Sequence, residues 1–208
     1  MKLETLNNEL SELFQTAEFE NNGGIHITGT EWYTDDLRIE LAIETGLEGE
    51  SQFWEVQING VRKELIKSSY TDKIELFNEH PLLWEYNQEQ SSLYFGNKTG
   101  RPYELFANIY KIHMLLTNSW IPFEEYVNTG FSIVELCKST TGLFAKGPIN
   151  ILKAYKGELE IHEMKPTIIG GYYPQEWSNE QNIDEVELNV LIIGESYVVA
   201  ETFDFTRV

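Results

Sequence analysis

The spacing of hydrophobic positions changes several times along the chain. Leu3, Leu6, Leu10, Leu13 and Phe14 recur at helical spacing, which predicts an amphipathic helix over residues 3–17 with an acidic outer face. Asn21-Asn22-Gly23-Gly24 ends it in a turn. The period then drops to two. Ile25 and Ile27 alternate, and so do Leu37, Ile39, Leu41 and Ile43, leaving Asp36, Arg38, Glu40 and Glu44 on the wet face of a half-buried strand. Trp54, Val56 and Ile58 continue the alternation up to Asn59-Gly60, a strong hairpin signal because both central residues of that turn need positive φ. Val61–Lys67 is the expected return strand. Ile74–Phe77 and Leu93–Phe95 read as further short strands, interrupted by His80-Pro81.

Residues 102–118 carry the clearest helical pattern. Pro102 suits a first turn, and Leu105, Phe106, Ile109, Ile112, Leu115 and Leu116 form a broad apolar stripe. Pro122 blocks simple continuation, so 123–128 is at most a short helix, and 132–138 fits helix or strand. Ile149–Tyr155, a Lys156-Gly157 turn and Glu158–Met164 read as a second hairpin. Gly170-Gly171-Tyr172-Tyr173-Pro174 and the polar stretch 178–184 read as loops, and 185–205 as a terminal hairpin turning at Gly194-Glu195. The expected fold is α+β: a mostly antiparallel β-sheet built from hairpins, packed against one central apolar helix (102–118), plus the N-terminal amphipathic helix. With no repeat or low-complexity segment, residues 1–208 are expected as a single domain, and 175–185 is the only plausible linker.

Composition supports a packed chain. The 27 aromatic residues among 208 can fill a core despite a net charge of −19. That charge is uneven. Residues 1–60 carry −11, residues 61–165 carry −1 and residues 166–208 carry −7. Charge of this size acts on solubility, partner choice and association rate rather than on fold. It repels nucleic acid and anionic lipid, so neither is an expected direct partner. Cys137 stands alone, no apolar run approaches the roughly 20 residues that span a bilayer, and the first residues lack the apolar stretch of a secretory signal. These features point to a cytoplasmic protein.

Motifs for chemistry are missing. Gly96-Asn97-Lys98-Thr99-Gly100 hints at a phosphate loop, but Asn97 stands where the motif requires glycine. Ile168-Ile169-Gly170-Gly171-Tyr172 resembles a protease N-terminus without any serine nucleophile motif. His26, His80, His113 and His162 are spaced too widely for a local metal motif, so no metal and no cofactor is expected. His113 lies in the apolar helix and reads as a hydrogen-bonded core residue. Glu160, His162 and Met164 would share one strand face, a pairing open to proton transfer but simpler as an exposed hairpin face. Cys137, within Ile-Val-Glu-Leu-Cys, reads as a small buried residue. The adjacent acids Asp35-Asp36 and Glu124-Glu125 do not define a carboxylate pair for catalysis, because glycosidase carboxylates come from separate strand ends.

Three readings of the acidity compete. In the first, a non-enzymatic protein captures a basic protein partner, as an inhibitor or immunity-type protein would. Glu40, Glu44, Glu185 and Glu187 would steer the partner, and Tyr172, Tyr173 and Trp177, in predicted loops, would anchor it. In the second, the chain binds a small molecule or assembles with itself, and acidity serves solubility alone. In the third, its carboxylates mimic nucleic acid. The first carries a geometric expectation: the two acidic ends of the chain should share one surface.

Overall fold

The computed structural model describes residues 2–3, 6–68, 70–128, 130, 132–174 and 187–208. The chain begins with β1 (Lys2–Leu3), α1 (Asn8–Phe14), α2 (Ala17–Asn22), β2 (Gly24–Tyr33), β3 (Asp36–Glu44), β4 (Ser51–Asn59), β5 (Lys63–Leu65), β6 (Tyr70–Thr71) and β7 (Ile74–Glu79). It continues through α3 (Trp84–Asn87), β8 (Gln90–Gly96), α4 (Pro102–Thr117), α5 (Ile133–Lys138), β9 (Thr141–Pro148), α6 (Ile149–Ile161) and β10 (Lys165–Tyr172). It closes with β11 (Asn189–Ile193), β12 (Ser196–Ala200) and β13 (Thr202–Arg207). The fold is α+β with antiparallel sheets, and α4 is its main helix. Two compact units form: Met1–Leu83 together with Val186–Val208, and Trp84–Glu185.

The first unit holds two five-stranded sheets, ordered β1-β7-β11-β12-β5 and β13-β4-β3-β2-β6. Strand alternation places its core as expected. Leu37, Ile39, Leu41 and Ile43 of β3 and Trp54, Val56 and Ile58 of β4 all point inward and are buried. Each such side chain contributes about 1.5–3 kcal/mol by leaving water. Leu10 and Phe19 bury against the same core.

Several local expectations change in this unit. The N-terminal helix 3–17 is instead β1 followed by two short helices. Asn7 caps α1 by accepting the Glu9 N–H, and Thr16 caps α2 by accepting the Phe19 N–H at 3.2 Å. These side chains satisfy backbone donors only where a helix starts, so they restart the helix rather than continue it. Gly60 does take positive φ (66°), yet the Asn59-Gly60 turn does not close a hairpin. Asp36 Oδ1 accepts the Gly60 N–H, and β5 leaves to pair with β12 in the other sheet. The place beside β4 goes to β13. The terminal hairpin turns at Gly194 as expected, but its second arm divides at Glu201, so β12 and β13 serve different sheets.

The second unit is a three-stranded sheet, β10-β8-β9, with α6 packed on it and α4 packed against α5 and α6. α4 starts at Pro102 and stops where Asn118 adopts the left-handed conformation (φ 49°). The expected hairpin at 149–164 is one helix, α6. Its buried residues Ile151, Leu152, Tyr155, Glu158 and Leu159 repeat at helical spacing, and Gly157 sits in open space where a helix tolerates it. The predicted Gly170-Gly171-Tyr172 loop belongs to β10, which pairs with β8 and breaks register between Ile169 and Tyr172, where Gly170 takes φ 70°. Residues 132–138 resolve as helix, with Ser132 capping α5 through the Glu135 N–H.

Candidate functional site

Charge separates by unit. The first unit carries −14 of the −19 and the second −5. The two ends of the chain also meet inside the first unit. Arg207 Nη1 donates to Glu9 Oε1 at 2.6 Å, Asn7 Nδ2 reaches the Phe205 carbonyl at 3.4 Å, and β13 pairs along β4.

The solvent side of the sheet β13-β4-β3-β2-β6 gathers acids of the N-terminal segment and, from the C-terminal segment, Asp204; the acids at 176, 180, 184 and 185 lie outside the described residues. Register places Asp204, Gln57, Arg38 and Glu31 in one row across the strands. The next row holds Thr206, Glu55, Glu40 and Gly29. Arg38 sits among three carboxylates, 2.5 Å from Glu31, 3.5 Å from Glu40 and 3.7 Å from Glu55. One guanidinium cannot neutralise three acids, so the cluster keeps a net negative charge, and exposure keeps each pair weak.

Beyond Glu40 and Glu55 lies an aromatic row. Phe53 of β4, Ala42 of β3, His26 of β2 and Tyr70 of β6 stand side by side. Val208 donates its N–H to the Phe53 carbonyl at the end of this row. Phe53 is 57% exposed and Tyr70 54%, although large apolar groups usually bury. The His26 and Tyr70 rings meet edge to face with centroids 4.7 Å apart. Tyr70 lies across Gly24, where any Cβ would overlap its ring, and its hydroxyl donates to the Gly23 carbonyl at 2.8 Å. Glu44 borders the row on its far side, 3.5 Å from His26 Nε2. Glu44, Glu48 and Glu50 then line an open cleft of about 420 Å³ at the β3–β4 turn.

The residues expected to bind distribute as follows. Glu40 and Glu44 share the exposed face of β3. Glu187 is exposed in the first unit, just before β11 in the other sheet. Tyr172 and Tyr173 are both half exposed in the second unit. Trp177 and Glu185 lie outside the described residues. Phe53, Tyr70, Glu55 and Glu31 are additions that only pairing register reveals. Phe53 is exposed while its chain neighbour Trp54 is buried on the other face of β4.

The second unit offers an open cleft of about 480 Å³, lined among others by Glu85, Glu125, Tyr126, Lys146, Ile169 and Tyr172. Burial, with Glu85 and Glu125 nearby, raises the Tyr126 phenol well above its ordinary value, so it stays protonated. Several other polar groups of this unit are committed to internal hydrogen bonds. His113 is a hydrogen-bonded core residue: Nε2 donates to the Ile121 carbonyl at 2.7 Å, so Nδ1 accepts from the Tyr155 hydroxyl, also at 2.7 Å. Burial lowers the His113 pKa and favours this neutral form. Glu160 and His162 do not share a strand face. Glu160 lies on α6 and His162 is its C-cap, buried one turn from Glu158, whose Oε1 accepts from Asn108 at 2.6 Å. Cys137 is fully buried and its thiol is pushed up to about 12, which leaves it unreactive.

Fold and geometry together define an α+β chain with antiparallel sheets and an acidic, aromatic sheet face. No protein-family model, curated protein or solved structure matches it. Among the described residues no helix is long and apolar enough to cross a membrane, and no three His, Cys, Asp or Glu side chains group to hold a metal ion.

Proposed function

We propose that this chain is a non-enzymatic protein that binds a basic protein partner, in the manner of an inhibitor or immunity protein, through the acidic sheet face of the first unit. One observation carries the reading: carboxylates of three neighbouring strands, Glu31, Glu40 and Glu55, surround a single arginine beside exposed aromatic rings, with Asp204 of the C-terminal strand in the same row as that arginine. Such a field raises association rates by about 10- to 1000-fold at low salt. The rings then supply the desolvated contact that slows dissociation. The test immobilises the protein and passes a cytosolic lysate at low and moderate salt. A basic protein is retained at low salt, released at moderate salt, and not retained by Glu40→Lys/Glu44→Lys. Retention of no basic protein at low salt removes this reading.

The cleft of the second unit favours a second reading, binding of a small molecule. Its volume of about 480 Å³ falls within the range of ligand pockets, and its lining mixes two carboxylates, a lysine and two tyrosines. A thermal-shift screen against metabolites tests it. A ligand-dependent rise that Tyr172→Ala abolishes supports it, and a screen without any rise counts against it.

A further inference from the structure

We infer that the aromatic row of the first unit is a seat for a cationic amphipathic helix of the partner, laid across the strands. This rests on the capture reading above and gives the captured element its shape. The row crosses β4, β3, β2 and β6, with Val208 extending it toward β13. Four strand spacings of about 4.8 Å make it about 19 Å long. A helix rises about 1.5 Å per residue, so about 13 residues cover it.

Width selects a helix over an extended strand. Neighbouring rows on one sheet face are about 6.5–7 Å apart. Glu40 and Glu55 therefore stand on one side of the aromatic row, and Glu44 on the other, about 13–14 Å across. A helix is about 10–12 Å wide, which fits between these rims. Its apolar stripe, at i, i+3, i+4 and i+7, would meet Phe53, Ala42 and the His26–Tyr70 pair. Lys or Arg on both flanks would reach the carboxylates, and long basic side chains suit this because their stems cover apolar surface while their heads reach outward. An extended peptide has one side chain on each face per two residues and would leave one rim unmet.

The test uses two synthetic 14-residue peptides of identical Leu and Lys content. One places Leu in a single helical stripe with Lys on both flanks; the other permutes the order. The amphipathic peptide should bind the full chain about ten-fold more tightly than the permuted one, and Phe53→Ser should remove most of that difference. Backbone amide shifts should concentrate at residues 26, 42, 53 and 70. Phe53 is exposed, so this variant keeps the core intact. Equal binding of the two peptides, or no effect of Phe53→Ser, overturns the helix seat while leaving capture by charge standing. If neither peptide binds at low salt, the capture reading fails with it.

Discussion

The two units differ in where polar side chains are buried: among the described residues, more of them lie in the interior of the second unit than of the first. In the first, the sheet interior is aliphatic around Trp54, and ionised groups stand outward on the solvent face. In the second, His113, Tyr155, Glu158 and His162 are buried among the helices, and the unit carries little of the net charge. A buried polar group that has found its partners is committed to the fold. An exposed carboxylate beside an exposed ring still has unused capacity. The contrast therefore directs attention to the outer sheet face of the first unit for partner binding, and to buried hydrogen bonds of the second for rigidity.

The largest effect expected concerns the dry core of the first unit. Trp54→Ala removes its largest fully buried side chain and should cost about 3–5 kcal/mol, read as a fall in the denaturation midpoint. A loss below about 1 kcal/mol would mean that Trp54 does not hold this core.

Acid should act next. His80, in the first unit, is buried, and its Nδ1 accepts the Leu82 N–H at 3.2 Å. Burial lowers its pKa to about 4, below the ordinary value of about 6.5. As pH falls, the unfolded chain takes up this proton first. Stability is thus lost between about pH 6.5 and 4, by up to ~3 kcal/mol, and is unaffected by this group above that window. Urea titrations across this range should show a flatter profile for His80→Asn, whose side-chain oxygen can still accept from Leu82. An equally steep profile in the variant would exclude His80 as the cause.

In the second unit the comparable probe is Tyr155→Phe. It deletes the donor to His113 Nδ1 and leaves that buried nitrogen unpaired, at a cost of about 1–3 kcal/mol. An unchanged midpoint would show that the buried hydrogen bond adds nothing to this unit.

Strand alternation made the core of the first unit legible from the sequence. A period of two assigns Leu37, Ile39, Leu41 and Ile43 inward and Glu40 and Glu44 outward without knowledge of any neighbour. The outward face as an assembly was not legible. Phe53, Ala42, His26 and Tyr70 are far apart in the chain, and only register makes them one row. Pairing partners followed the same limit. Gly60 has the conformation that a hairpin needs, but the choice between β5 and β13 beside β4 depends on a segment about 140 residues away. In the second unit, the sequence pattern hides α6, because Gly157 interrupts it and because Ile149, Ile151 and Tyr155 also suit a strand. The buried Glu158–His162 pair was hidden with it, since four residues apart is one turn of a helix but not a shared contact in a strand.

The smallest energetic effect tests the central claim most directly. Glu40→Lys/Glu44→Lys changes the charge of the first unit by four, and Glu104→Lys/Glu160→Lys changes the second by the same amount. All four glutamates are on the surface. Association rates with lysozyme, a basic protein, are measured by surface plasmon resonance at low salt for both variants. The account predicts that the first variant associates about ten-fold more slowly than the parent, and the second within about two-fold of it. Equal slowing by the two variants would contradict the account, because only net charge would then matter and the sheet face would have no part in capture.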